Sequence, residues 1–328
     1  MALIEGEFGL IDKYFAPLSK SAPGAVNLTD DVAFFEVSPG LVPVVSVDTL
    51  VGGVHFFPQD PPGNLAKKLI RVSLSDLAAS GARPLGYFLS LSMPADTDES
   101  WVAEFARGLC EDQKEFGIAL FGGDTTVTSG PLSLSLTAVG EAASDKIVRR
   151  SGAKPGQRVF VTGTIGDSAL GLTLIKKMGM REANSHFPDL VQRYLVPNPR
   201  VKLAPILGNR AAASIDISDG LVGDLAHICK ASGVSISIDF SMLPLSTSAK
   251  RVIEANPTNK GILLAGGDDY EILLCCSPEN SRELISKAAE QGVVVTEIGR
   301  VTNQGDRFVR VTEGACVVEI EDTSWRHF

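Results

Sequence analysis

The chain has few of the residues that build disulfide frameworks or structural zinc sites. Its five cysteines are scattered over 328 residues and form no C-x-x-C pair, which argues against both kinds of cross-link. No apolar run approaches the ~20 residues that a membrane-spanning helix needs. The first residues also lack the basic-then-apolar order of a secretory signal. We therefore expect a cytoplasmic protein with no membrane partner.

Basic residues are outnumbered by acidic ones. The chain has 30 Lys and Arg against 39 Asp and Glu, a net charge of −9, which argues against nucleic acid as the main partner. An anionic substrate stays possible, because a bound cation can outweigh the charge of the whole chain. Hydrophobic residues make up 44%, as in an ordinary globular protein.

The common nucleotide-binding signatures are missing. The chain has no G-x-x-x-x-G-K-[ST] loop, no G-x-G-x-x-G after a strand, and neither the H-R-D nor the D-F-G motif of protein kinases. These motifs therefore give no basis for assigning a P-loop, a dinucleotide-binding fold or a protein kinase.

Strand-like and helix-like segments alternate along the chain, which predicts an α/β or α+β architecture. The length predicts two domains. The polar, basic stretch Ser144–Gln157 separates the two halves, so we place one domain at residues 1–145 and the other at 146–328. Predicted strands include Val42–Val47, Tyr87–Met93, Leu132–Val139, Arg158–Thr162 and Val234–Phe240, and predicted helices include Leu65–Ala79, Trp101–Phe116, Ser168–Lys177, Leu221–Ala231 and Ser281–Glu290.

Acidic residues collect beside glycines at the ends of apolar runs. Strand ends are where α/β folds build their sites. Asp and Gly are also ordinary turn residues, and turn chemistry explains any one cluster. Five clusters in one chain favour a site: Asp30-Asp31, Asp48-Thr49, Gly122–Thr126, Asp216–Gly220 and Gly266–Asp269.

Asp76 is expected to point inward from the predicted helix Leu65–Ala79, because it shares a face with apolar residues. A buried carboxylate needs a partner, which is an arginine, a backbone amide or a cation. The apolar residues of its face are Leu65, Leu69 and Val72, and the expected solvated stripe is Lys68, Arg71 and Ser75.

If these acids converge, they repel one another by about 1 to 4 kcal/mol per close pair and must protonate or bind cations. All-oxygen ligand sets suit Mg²⁺, Mn²⁺ or Ca²⁺. Mg²⁺ leaves coordination positions for water and substrate phosphates. The residues alone thus predict a metal-dependent, multi-carboxylate site for a phosphorylated ligand.

The same motifs, in the same order, resemble the thiamine-monophosphate kinase family of the PurM-type superfamily. The resemblance runs nearly end to end. It is carried by Gly6-Glu7-Phe8, Asp30-Asp31, Ser46–His55, Leu74–Ala79, Gly122–Thr126, Arg150–Gly156, Thr162-Gly163-Thr164, Asp216–Leu221, Gly266–Glu271 and Trp325–Phe328.

The resemblance implies a two-domain fold in which the N-terminal domain binds ATP and metal and forms a β-barrel with a second copy, while the C-terminal domain is α/β. It implies a homodimer that uses ATP and several Mg²⁺ ions to convert thiamine monophosphate to thiamine diphosphate. The implied metal ligands are Asp31, Ser46, Val47, Asp48, Asp76, Asp124, Asp216 and Asp219.

By the same resemblance, Asp124, Asp216 and Asp219 are the catalytic acids. Nucleotide contacts fall on Gly123, Asp124, Arg150 and Ser218, and substrate contacts on His55, Asp268 and Trp325. Two positions depart from the family pattern. Val47 has only a backbone carbonyl to offer a metal, and Asp268 stands where the family commonly has Glu.

Two other interpretations remain. One is another PurM-type ATP-dependent enzyme, similar to aminoimidazole ribonucleotide synthetase. The other is a nucleotide-binding regulator without catalysis, which the presence of all six metal aspartates disfavours. A selenophosphate synthetase is expected to carry a reactive Cys near its start, whereas the first cysteine here is Cys110.

Overall fold

The structure, a computed structural model, describes residues 6–318, so Trp325 lies outside the described residues. The described chain divides into two compact units. The first contains residues 6–77 and 82–144, and the second contains 78–81 and 145–318. Among the described residues, no helix is both long and apolar enough to cross a membrane.

The first unit contains one four-stranded sheet and two long helices. The strand order is β1-β4-β2-β3, with β2 and β3 parallel and the other pairs antiparallel. The sheet is open, so the barrel implied by the resemblance stays a prediction. The elements are α1 Gly6–Leu10, β1 Val42–Val51, α2 Pro62–Ala79, β2 Arg83–Pro94, α3 Glu99–Phe116, β3 Ala119–Thr128 and β4 Ser133–Ala142.

Local sequence sets the ends of α3. The side chain of Asp98 accepts the backbone N–H of Ser100 at 2.8 Å, and Gly117 ends the helix in the left-handed region with φ +66°. Polar alternation in β4 matches its burial, since Leu134 and Leu136 are buried between half-buried serines. These features are readable from the sequence because they depend on neighbouring residues.

The prediction that one polar stripe of α2 faces solvent is wrong. Lys68, Arg71 and Ser75 are all buried. The guanidinium of Arg71 pairs with Asp112 and Glu115 on α3, each at 2.7 Å. A helix that packs on both sides needs buried polar residues that are paired, and a single-helix pattern does not show this.

The second unit is built on a seven-stranded mixed sheet in the order β11-β10-β7-β9-β5-β8-β6. Only β10 and β7 pair in parallel. Its strands are β5 Arg158–Thr162, β6 Ala211–Asp216, β7 Ser235–Asp239, β8 Ile272–Cys276, β9 Val295–Thr302, β10 Val309–Glu313 and β11 Cys316–Val317. Its helices are α4 Asp167–Met178, α5 Met180–His186, α6 Pro188–Leu195, α7 Ala204–Arg210, α8 Leu221–Ser232, α9 Thr247–Ala255, α10 Asn259–Ala265 and α11 Pro278–Glu290.

The sequence patterns missed β8, a fully buried strand at Ile272–Cys276. It lies between β5 and β6 in the middle of the sheet. A strand covered on both faces shows no polar alternation, so periodicity does not distinguish it from a short buried helix.

Candidate functional site

Two strand residues and one helix residue form the first group of predicted metal ligands in the first unit. The alternation of β1 puts Ser46 and Asp48 on its half-buried face and Val47 on the opposite face, where the valine side chain is 61% exposed. The hydroxyl of Ser46 donates to the carboxylate of Asp76 on α2. Asp76 is half-buried, as its helix position predicts.

The carboxylate of Asp48 in this group lacks one hydrogen bond. Its Oδ2 atom is buried and has no hydrogen-bond partner. Burial, together with the charge of Asp76 and against a hydrogen bond from Ser73, raises the pKa of Asp48 to about 6. A buried, unpartnered acceptor beside a second carboxylate is a setting that a cation would satisfy.

A second group in the same unit combines Asp31, Gly123 and Asp124. They line one cavity of about 320 Å³, whose apolar part includes Phe88 and Phe121. Both aspartates are exposed. A Cβ atom on Gly123 would lie 1.9 Å from the carbonyl oxygen of Leu89, so the close strand approach there requires glycine.

His55 lies in the turn that follows β1. The Nδ1 atom of its ring accepts the backbone N–H of Val51 at 3.0 Å, and the backbone N–H of His55 donates to the carbonyl of Val51 at 2.9 Å. Because Nδ1 is an acceptor, the neutral ring carries its proton on Nε2. The turn thus fixes both the orientation and the tautomer of the imidazole.

In the second unit, three of the predicted residues lie at the end of β6 and in the loop that follows it. Asp216 is buried at the strand end. The backbone N–H groups of Ser218 and Asp219 both donate to Oδ2 of Asp224, each at 3.1 Å. Gly220 follows with φ +116°, a conformation that L-residues rarely adopt.

Asp224 and His227 lie beside Asp219, and the sequence patterns did not single them out. The ligand atoms of Asp219, Asp224 and His227 lie within 4.8 Å of one another. Burial first, and then the charge of Asp219, raise the pKa of Asp224 to about 7, against the opposing effect of two backbone hydrogen bonds and of Arg150. Asp224 and His227 are three residues apart on α8 and so share a face, a spacing that could have identified them.

The glycine-rich loop before β8 packs directly on the loop after β6. Asp268 N–H donates to the carbonyl of Ser218, and Tyr270 N–H donates to that of Ile217, each at 2.8 Å. Ser168 Oγ donates to the carboxylate of Asp268 at 3.2 Å. The structure therefore brings Asp268 together with the loop that carries Ser218 and Asp219.

Two further acids of this region stabilise the fold. Oδ2 of Asp269 accepts the N–H of Gly166 at 2.7 Å, and burial raises the pKa of Asp269 to about 8. Glu271 has no exposed side-chain surface and is paired with Arg193 and Arg200, the former at 2.6 Å. Acid clusters thus contain both site residues and structural ones, which residue type alone does not separate.

Comparison with known proteins first defines a class. Residues 29–142 match the model of the AIR synthase related protein, N-terminal domain, and residues 154–312 match that of its C-terminal domain. The chain therefore has the two-domain α/β fold of the PurM-like class.

Individual relatives define the family. A thiamine-monophosphate kinase of Caulobacter vibrioides is 42% identical over 296 residues, which cover 89% of this chain and 83% of the relative. The crystal structure of the thiamine-monophosphate kinase from Stenotrophomonas maltophilia K279a matches with a TM-score of 0.80 at 36% identity, covering 88% of this chain and 91% of that one. AaThiL complexed with AMPPCP and TMP matches with a TM-score of 0.78 at 34% identity, covering 98% and 97%. The chain belongs to the thiamine-monophosphate kinase family and is a phosphotransferase.

Proposed function

We propose that this protein transfers the γ-phosphoryl group of ATP to the phosphate of thiamine monophosphate, giving thiamine diphosphate and ADP, with Mg²⁺. Family membership supports the reaction. The observation that carries the metal dependence is the buried, unpartnered Oδ2 of Asp48 beside Asp76. We propose that the reaction takes place in the cytoplasm, where ATP is available.

The donor set fits Mg²⁺, because it consists of carboxylates with one hydroxyl and one backbone carbonyl. Bound Mg²⁺ would neutralise phosphate charge during transfer. The proposed ligands are Asp31, Ser46, the carbonyl of Val47, Asp48, Asp76, Asp124, Asp216 and Asp219. Asp124, Asp216 and Asp219 are proposed to act closest to the transferred group.

The remaining residues bind and orient the two substrates. The proposed nucleotide contacts are Gly123, Asp124, Arg150 and Ser218. A guanidinium can bond two phosphate oxygens through its planar fork, which suits Arg150. Thiamine monophosphate is proposed to contact His55, Asp268 and Trp325. The acceptor is already a phosphate oxygen, so these residues work by positioning and charge neutralisation, with little need for a general base.

We also propose that two copies pair through the first unit, whose sheet closes with that of the second copy into a barrel. The outward face of β1 supports this, because Val45 and Val47 are 55% and 61% exposed. Val127 on the edge strand β3 is 67% exposed. Exposed apolar side chains on a sheet are common at protein interfaces.

The proposed reaction is tested by incubating the protein with ATP, Mg²⁺ and thiamine monophosphate and separating the thiamine phosphates by chromatography. We expect thiamine diphosphate with Mg²⁺ and none with EDTA. Free thiamine replaces the monophosphate in a parallel sample, where we expect much less ADP. A folded protein that binds Mg²⁺ and ATP but makes no thiamine diphosphate would contradict the proposed acceptor.

A further inference from the structure

Asp224 is a buried carboxylate that the proposed chemistry does not use. Its side chain is on the first turn of α8 and the residue is 1% exposed. It carries no substrate or nucleotide contact in the proposal above. Burying a carboxylate is costly unless it is hydrogen-bonded, so its partners indicate what it does.

Those partners are two consecutive backbone amides of the loop after β6. Ser218 N–H and Asp219 N–H both donate to the same oxygen, Oδ2, at 3.1 Å. Hydrogen bonds to an ionised acceptor are about twice as strong as neutral ones. A capping box reaches back from the third helical residue to one amide, whereas Asp224 fixes two amides of the preceding loop.

The two amides belong to the residues that carry the loop's proposed chemistry. With both N–H groups held toward α8, the backbone of the loop has little freedom left to reorient the Ser218 hydroxyl and the Asp219 carboxylate. The carbonyl of Ser218 in turn accepts the N–H of Asp268 at 2.8 Å. The carboxylate of Asp224 therefore restrains the loop at Ser218 and Asp219 directly. Through the carbonyl of Ser218 it also restrains the glycine-rich loop at Asp268.

The charges around Asp224 support the same role. Asp219 repels it and Arg150 attracts it. The ligand atoms of His227 lie within the same 4.8 Å cluster as those of Asp219 and Asp224. A second negative charge next to Asp219 favours a divalent cation there over a monovalent one.

We infer that Asp224 is a positioning residue, which orders the Ser218-Asp219 segment for phosphoryl transfer through two charge-assisted hydrogen bonds. The kinetic part of this inference rests on the proposed function. The structural part concerns the chain's own residues and is measurable without turnover.

The test compares Asp224→Ala, which removes the acceptor, with Asp224→Asn, which keeps an acceptor but removes the charge. Asp239→Asn is the matched control, because Asp239 also accepts a backbone N–H, from Ser241 at 2.9 Å, at the end of β7. Amide hydrogen exchange of the metal-free protein is read at residues 218 and 219. We expect exchange there to accelerate about tenfold in Asp224→Asn and more in Asp224→Ala, with no change in the control.

Two further measurements separate positioning from a merely structural role. By calorimetry without nucleotide, the Mg²⁺ concentration for half-saturation is expected to rise about tenfold in both Asp224 variants. In the assay, kcat is expected to fall about 10- to 100-fold, with a smaller change in the KM for thiamine monophosphate.

The inference is overturned if exchange at 218 and 219 stays at the wild-type rate, or if exchange accelerates over all of α8 while Mg²⁺ binding is unchanged. Where Asp224→Ala does not fold, Asp224→Asn decides by the same criteria. If the wild-type protein makes no thiamine diphosphate, the proposed function fails, while hydrogen exchange and Mg²⁺ titration still decide the role of Asp224.

Discussion

The carboxylates of Asp48 on β1 and Asp76 on α2 lie close enough for the charge of Asp76 to raise the pKa of Asp48. Ser46, on the same strand face as Asp48, donates its hydroxyl to Asp76. One oxygen of Asp48 is left buried and without a hydrogen bond. The fold therefore maintains a repulsive pair that a bound cation would relieve, at a cost in stability when no cation is present.

Asp48→Asn is expected to stabilise the metal-free protein and abolish most of the activity. The pKa of Asp48 rises from 3.8 to about 6 on folding, so the native state holds its proton more tightly. Stability of the metal-free wild type therefore falls as the pH rises from about 4 to about 6. The variant lacks this slope and should gain about 2 kcal/mol at pH 7, with kcat lowered at least about 100-fold.

Urea unfolding in EDTA between pH 4 and pH 8 measures the first effect, and the chromatographic assay measures the second. Asp96→Asn, which changes an exposed carboxylate of the same unit, serves as the control. An unaltered pH slope in Asp48→Asn would show that Asp48 does not titrate between these limits.

His55→Asn is expected to raise the KM for thiamine monophosphate more than it lowers kcat. An asparagine can still accept the Val51 N–H that now reaches Nδ1, so the turn survives while the Nε2 side of the ring is lost. We expect an increase in KM of about tenfold, the usual effect of losing one polar contact. Steady-state kinetics check this, with His186→Asn on the exposed face of α5 as control. Equal effects of the two substitutions on KM would show that His55 does not contact the substrate.

Gly267→Ala and Gly233→Ala form a matched pair, because both glycines have φ +67°. A Cβ on Gly233 meets nothing within 4 Å, whereas one on Gly267 would lie 2.2 Å from the carbonyl oxygen of Ser218. We expect Gly233→Ala to cost only the left-handed strain, about 1 kcal/mol. Gly267→Ala should also displace the loop that carries Ser218, so kcat should fall about tenfold or more. Thermal unfolding and the product assay distinguish the two, and similar activities would show that the loop tolerates the displacement.

Glu271→Gln is expected to destabilise the protein by about 3 to 5 kcal/mol, because it leaves two half-buried guanidinium groups without their carboxylate. Glu271 is unexposed and pairs with Arg193 and Arg200. Glu290→Gln, which breaks the exposed 2.9 Å pair with Lys287, should change stability by less than about 1 kcal/mol. Denaturant midpoints compare the two variants, and equal values would mean that the buried network is not coupled to folding.

Parts of this fold and site follow from local sequence. The helix end at Gly117 and the alternation of β4 depend on neighbouring residues, and so does the placement of Ser46 and Asp48 on one strand face. The family itself is evident from motif order. The prediction that Arg71 faces solvent from α2 is wrong, because the partners that allow its burial, Asp112 and Glu115, lie about forty residues away on α3.

The amino-acid sequence by itself determined the class of chemistry, since it places aspartates beside glycines at strand ends and keeps to the motif order of one kinase family. Only the tertiary structure decided which acids serve a site and which serve the fold. Asp268 and Asp269 are neighbours of the same type, yet Asp269 accepts backbone amides at the start of α4 while Asp268 packs on the loop of Ser218. The difference is physical: burial and hydrogen-bond partners come from chain segments about a hundred and about fifty residues away, and no local pattern encodes them.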